Sequence, residues 1–192
     1  ELGFLDGDMF IISCQYDQSQ VTANSTSIPV TLLSTPLCID PKNNEGLTQT
    51  KAEPTNPLYS LDKQQSSLVY YDKNTIVLTM PYWVKVTNSS VEDSELKKHS
   101  FVLSYDPTTM KDTDTKLKLY ISHVVDDAGE TVTRSNFTYA YRAYSIRAAL
   151  TVFKEKTGKL PKYLELTAKT NSSKDELKEE SGETSVEYDY AF

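Results

Sequence analysis

"KLKLYISHVVDDAGETVTRSNFTYAY", residues 116–141, is the stretch on which the reading of the fold turns. Leu117, Leu119, Ile121 and His123 fall on one face of an extended chain, and Lys116, Lys118, Tyr120 and Ser122 fall on the other. Such alternation marks a strand with one buried face, because successive side chains leave a pleated strand on opposite sides. "DDAGE", 126–130, then supplies turn residues, and Tyr139 and Tyr141 resume the alternation, so the stretch is expected to be a β-hairpin.

Its surroundings extend the same pattern. "TIVLTMPYWVKVT", 75–87, is a strong strand signal interrupted by Pro81, which has no N–H to give a ladder and so predicts a bend, a bulge or a local edge. "HSFVLSYD", 99–106, follows a charged loop. "AYSIRAALTVF", 143–153, is ambiguous: Tyr144, Ile146 and Ala148 alternate like a strand, whereas Ala148, Ala149, Val152 and Phe153 fit a short helix. "KYLELTAK", 162–169, and "TSVEYDYAF", 184–192, alternate again on either side of the charged excursion "TNSSKDELKEESGE". Ser173 and Glu176 form a capping-box pattern there, but so short a helix is marginal in water, and a solvated loop is favoured. Many strands with turns about every dozen residues, and no helix of three turns, predict an all-β sandwich over residues 53–192.

Upstream lies a smaller β unit, residues 1–52 with its linker. "FIISCQYD", 10–17, places Ser13 before Cys14 in lipobox fashion, but no basic region or long apolar stretch precedes it, so Cys14 reads as a strand residue. "IPVTLLSTPLCI", 28–39, is a second apolar run, and the polar, aperiodic stretch from Asp40 to Asn56 reads as a linker. Cys14 and Cys38 are compatible with one disulfide or with two buried free thiols.

The 192-residue chain carries 27 acidic against 20 basic residues, a net charge of −7, with no basic stripe, which argues against a nucleic-acid partner. Thirteen tyrosines and only six glycines suit a pleated, half-buried surface. The scattered glycines make no P-loop or dinucleotide fingerprint, and no G-x-S-x-G elbow is present. His99 and His123 lie too far apart in sequence from each other and from the cysteines for a zinc pattern, and the Asp112/Asp114 and Asp126/Asp127/Glu130 groups lack EF-hand spacing. No catalytic residue, cofactor or metal is therefore expected. Asn24, Asn88, Asn136 and Asn171 head N-x-S/T sequences that would suit a glycosylated eukaryotic ectodomain, although in a Ser- and Thr-rich chain several arise by chance. The better functional hint is aromatic: Tyr139 with Tyr141, and Tyr188 with Tyr190, share strand faces and form a candidate binding surface, with core packing as the competing explanation.

In order along the chain, "DGDMFIISCQYD", "NPLYSL", "NTIVLTMPYW", "KHSFVLSYD", "KLKLYISHVVDDAGE", "YLELTAK" and "VEYDYAF" resemble the successive strands of the NigD-like lipoproteins of Bacteroidetes. The charged insertion from Ser172 to Glu183 and the lack of the family's arginine near Met9 depart from that pattern. The resemblance implies an OB-like or partial barrel N-terminal domain, then an immunoglobulin-like β-sandwich, exported to the cell envelope and held at the membrane only through a lipid on a cysteine upstream of residue 1. It supplies no catalytic residues. The expected role is a non-catalytic binding or accessory module for an envelope protein or glycan; the alternative is a structural or adhesin-type subunit assembling through strand edges.

Overall fold

The computed structural model describes residues 9–39, 47–177 and 183–192. Among the described residues the fold is all-β, 41% strand and 10% helix, with several sheets and no closed barrel. The chain divides into two units, Glu1–Lys42 and Asn43–Phe192.

In the first unit β1 (Met9–Ile11) pairs antiparallel with β4 (Leu37–Ile39), and β2 (Cys14–Gln15) pairs with β3 (Thr31–Leu32) nested inside them. A bond from the Leu33 N–H to the Ser13 carbonyl joins the two ladders into one interrupted ribbon. Of its described residues only Ile39 is buried. Cys14 is a strand residue, as expected. Both cysteines are free but exposed, which corrects the expectation of burial: a two-stranded ribbon has no second layer to cover them.

The second unit stacks two sheets. One is ordered β5 (Ser67–Tyr70), β6 (Thr75–Val84), β9 (Asn136–Ser145), all antiparallel. The other is ordered β11 (Glu183–Asp189), β10 (Tyr163–Lys169), β8 (Lys116–Val125), β7 (His99–Ser104). Ile76, Leu78, Met80, Tyr82 and Val84 alternate along β6 into a common core with Leu117, Leu119 and Ile121 of β8 and Leu164 and Leu166 of β10. Tyr70 Oη donates to the Asp189 carbonyl across one side of the stack, and Tyr144 Oη to the Phe101 carbonyl across the other.

Three expectations need correction. The 116–141 stretch is not a hairpin: β8 pairs with β7 and β10, while β9 crosses to the other sheet and pairs with β6. Local alternation finds strands but carries no information about partners. The ambiguous 143–153 stretch is both things in turn, since β9 runs to Ser145 and a helix of three turns, α (Arg147–Thr157), follows and buries Ala149, Leu150 and Phe153. That helix lies between β8 and β10, which pair in parallel, and a parallel connection needs a long crossover. Finally, the presumed linker is bound from Leu47 onward: Thr48 bridges Ser104 in parallel fashion, and Asn56 bridges His123. The β10–β8 register ends at Ala168 opposite Ile121, which leaves the β8 edge at His123 open for Asn56 to take.

Pro81 sits where β5 has already ended, so β6 is locally an edge; the Tyr59 N–H reaches the Pro81 carbonyl, and Leu58 bridges Tyr82. The helix stops at Gly158, which adopts φ +74° and returns its N–H to the Lys154 carbonyl. Only glycine takes that left-handed conformation without strain. A Cβ there would meet nothing within 4 Å, so Gly158→Ala is expected to cost only the backbone penalty of about 1–2 kcal/mol, read as a fall in the thermal midpoint.

Candidate functional site

The four sequence-derived tyrosines separate. Tyr139 and Tyr141 lie on the outer face of the three-stranded sheet, opposite Pro81 and Thr79 of β6. Tyr139 is 39% exposed and Tyr141 half-buried. Tyr190 is 6% exposed and sends its hydroxyl to the Lys73 carbonyl, while the half-buried Tyr188 reaches the Ser66 carbonyl. Those two close the core between β11 and the β5–β6 hairpin, where core packing, the competing explanation, accounts for Tyr190.

Alternation places Trp83 on the outer face, because Tyr82 and Val84 point into the core. Its register partner is Phe137. Tyr59 stacks on Phe137 with centroids 4.2 Å apart and planes 20° apart, and meets Trp83 edge-on at 5.0 Å. Phe137 in turn meets Tyr139 edge-on at 5.9 Å. Trp83 forms the floor, 6% exposed, with its indole N–H on the Asn171 carbonyl at 2.8 Å. Phe137, at 41%, remains open to solvent. Sequence reasoning missed Tyr59 and Phe137, since Tyr59 comes from the segment beside the presumed linker and no periodicity links it to β9. Asn171, one of the N-x-S/T residues, has its side chain engaged by Ser173, Lys174 and Glu176.

Beneath this platform, inside the fold, lies a polar cluster gathered from six chain segments. Arg134, its side chain 1% exposed, donates from Nε to Glu95 Oε1 at 2.7 Å and makes a two-pronged pair with Asp127 at 2.7 and 2.9 Å. Its Nη1 also approaches Asp175 Oδ2 at 3.4 Å. Asn56 Nδ2 holds the other Asp175 oxygen at 2.9 Å, and Lys98 Nζ lies 3.4 Å from Asp127. Glu95 Oε1 also accepts the Lys85 backbone N–H at 2.9 Å. Burial would lift the Glu95 carboxyl, but that N–H with Arg134 and His99 holds it below its ordinary value. Burial likewise opposes charge on Arg134, yet Asp127 and Glu95 prevail and raise it. Asp175 is pushed up by its burial.

The histidines continue the cluster as a chain of contacts. His123 Nδ1 faces the Pro57 carbonyl at 3.1 Å, His123 Nε2 faces His99 Nδ1 at 2.9 Å, and His99 Nε2 faces Glu95 Oε1 at 3.2 Å. A carbonyl and an ionised carboxylate only accept, so the two ends demand protons from the rings. Three hydrogen bonds need three protons, and two neutral imidazoles carry only two between them. Burial, and then the neighbouring imidazole, push His123 down to about 3, and burial also lowers His99 despite the opposing Glu95 carboxylate. The pair is therefore neutral at neutral pH with one contact unfulfilled. The side chains of Arg134, Glu95, Asp175 and the two histidines are buried, while Asp127 at 20% and Lys98 at 30% exposure form the side of the cluster nearest solvent. Among the described residues no group of His, Cys, Asp or Glu is arranged to hold a metal ion, and no helix is long and apolar enough to cross a membrane.

No protein-family model matches the chain, and no curated protein matches it. Among solved structures it is similar to a candidate lipoprotein from Bacteroides fragilis, at 29% identity and TM-score 0.75, covering 95% of this chain and 81% of that one. An uncharacterized protein from Parabacteroides merdae shares the fold at 15% identity and TM-score 0.57, over 98% of this chain and 84% of that one. A protein of unknown function from Bacteroides vulgatus matches at 7% identity and TM-score 0.50, over 97% of this chain and 72% of that one.

Proposed function

We propose that this chain is a non-catalytic module of a bacterial cell envelope that binds a glycan on the Tyr59–Phe137–Tyr139 platform. The observation that carries this reading is the solvent-open aromatic stack on an outer sheet face, floored by Trp83. Aromatic faces bury apolar area at little conformational cost and suit the C–H faces of sugar rings, and aromatic side chains are frequent anchors of binding surfaces. The envelope setting is supported by the likeness to the candidate lipoprotein from Bacteroides fragilis. The finer membership is a NigD-like one, with the N-terminal ribbon as part of an OB-like domain and the sandwich as immunoglobulin-like, supported by the order of the strand motifs.

Trp83 is the only tryptophan, so its emission reports on the platform directly. Titration with a panel of neutral oligosaccharides is expected to give a saturable change, weakened about tenfold or more by Phe137→Ala or Tyr139→Ala. Saturable binding that survives both substitutions would place the ligand elsewhere, and no response to any saccharide would remove glycans as the ligand class.

A second reading has its own observation: β9 is ten residues long and no strand among the described residues pairs with its other edge. Long open edges can add a strand from another chain. Concentration-dependent polymers in light scattering would favour this assembly role, and a strict monomer at high concentration would end it.

A further inference from the structure

The segment that carries Tyr59 is fastened to the buried histidines. The Thr55 and Asn56 N–H groups donate to the His123 carbonyl at 3.0 and 3.3 Å, and His123 Nδ1 meets the carbonyl of the buried Pro57. Two residues further on, Tyr59 stacks on Phe137. We propose that the His99–His123 pair is a proton-operated clamp: one extra proton on the pair locks His123 Nδ1–H onto the Pro57 carbonyl and so fixes Tyr59 in the binding platform. This regulation rests on the reading of Tyr59, Phe137 and Tyr139 as the ligand surface.

The tautomers explain how it works. In the neutral pair, His99 can give its one proton to Glu95, which leaves Nδ1 bare toward His123. His123 then either sets a bare Nε2 against it or moves its own proton to Nε2, and the second choice leaves two lone pairs facing each other at Pro57 and releases the carbonyl. Alternatively His99 gives its proton to His123, and its bare Nε2 then faces the Glu95 carboxylate. A doubly protonated His99 ends this competition. It donates from Nε2 to Glu95 and from Nδ1 to His123, whose single proton must then sit on Nδ1.

The charges around the pair favour that extra proton. Glu95, Asp127 and Asp175 are three carboxylates, from the turn at Asp93–Leu96, the loop after β8 and the loop after β10, against two cations, Arg134 and Lys98. From β6, Tyr82 meets both imidazoles edge-on at 4.8 and 5.6 Å and stays neutral, its hydroxyl pushed up to about 12 by burial. From β7, Phe101 stacks on His123 at 4.9 Å, and Arg142 of β9 lies over the Phe101 ring, 5.4 Å from its centroid.

The test uses the full chain without ligand. Trp83 emission is expected to change reversibly, with the steepness of one proton, as pH falls below 6.5 while the far-ultraviolet circular dichroism stays constant, and this change is expected to vanish in His99→Gln. In parallel, long-range proton–nitrogen spectra of the wild-type protein should show His123 protonated on Nδ1 at the acid end and exchanging between tautomers at pH 8. The clamp is overturned if Trp83 emission stays flat while His99 gains its proton, if the change persists in His99→Gln, or if His123 carries its proton on Nε2 at the acid end. The wild-type spectra decide the matter should His99→Gln not fold. Because neither readout involves a saccharide, a failed oligosaccharide titration would strike the platform reading alone, and a flat Trp83 response would strike the clamp alone.

Discussion

Replacing Arg134 with methionine is expected to lower the unfolding free energy by about 3–5 kcal/mol at pH 7, the cost of leaving buried carboxylates without their cation. Arg134 is the hub of the cluster, with its side chain 1% exposed and Glu95 and Asp175 at 6% and 4%. Methionine fills most of the space and removes only the charge and the donors, so the loss reads electrostatics and hydrogen bonding more than packing. Asp127 is 20% exposed, so water can take over part of its role, and Asp127→Asn is expected to cost clearly less. Urea unfolding of both variants measures the difference. The gap between wild type and Arg134→Met should narrow as pH falls, because an orphaned Glu95 can neutralise itself by taking a proton. A deficit under about 1 kcal/mol at pH 7 would mean that solvent reaches the cluster and that it is not an anchor.

The second large effect is acid lability beginning well above the ordinary carboxylate range. Both imidazoles titrate lower in the fold than in the unfolded chain, His123 at about 3 against 6.5. Between those values the unfolded chain binds more protons than the native one, so stability is complete above pH 6.5 and falls as pH drops through the window toward 3. Each histidine in its window contributes a loss of about 1.4 kcal/mol per pH unit. At pH 5 His123 alone should have removed about 2 kcal/mol. Glu95 and Asp127, both held low, add their own losses only near pH 4 and below, while the raised Asp175 works in the opposite direction. Urea midpoints at pH 7.5, 6 and 5 test this directly. Equal midpoints across that range would show that the native histidines titrate like free ones and would contradict their enclosure.

The same residues show how far the sequence could be read. Alternation in 116–125 and 162–169 gave the strands and their buried faces, because a half-exposed sheet writes its burial into every second residue. It placed His123 on the core side of β8, where it is 1% exposed. It could not reveal that His123 meets His99 and Pro57, since β7, β8 and the 55–58 segment are joined only by pairing. Arg134 carried no local sign at all: it precedes β9 as one charged residue among polar ones, and only the fold brings it between Glu95 and Asp175. The tyrosines failed for a related reason. Period-two spacing shows that Tyr188 and Tyr190 share a face, yet whether that face meets solvent depends on the opposing sheet.

The sequence by itself determined an all-β chain, an acidic net charge, Cys14 as a strand residue and most strand positions, because these follow from composition and from the alternation of the pleat. The tertiary structure alone decided which strands pair, that β8 and β10 run in parallel across a helix, that Tyr59 joins Phe137 and Trp83 on an outer face, and that three carboxylates, an arginine and two histidines meet in one cluster. Those outcomes depend on contacts between residues far apart in the chain, and a local pattern reports the face a residue turns to but never the residue that it meets there.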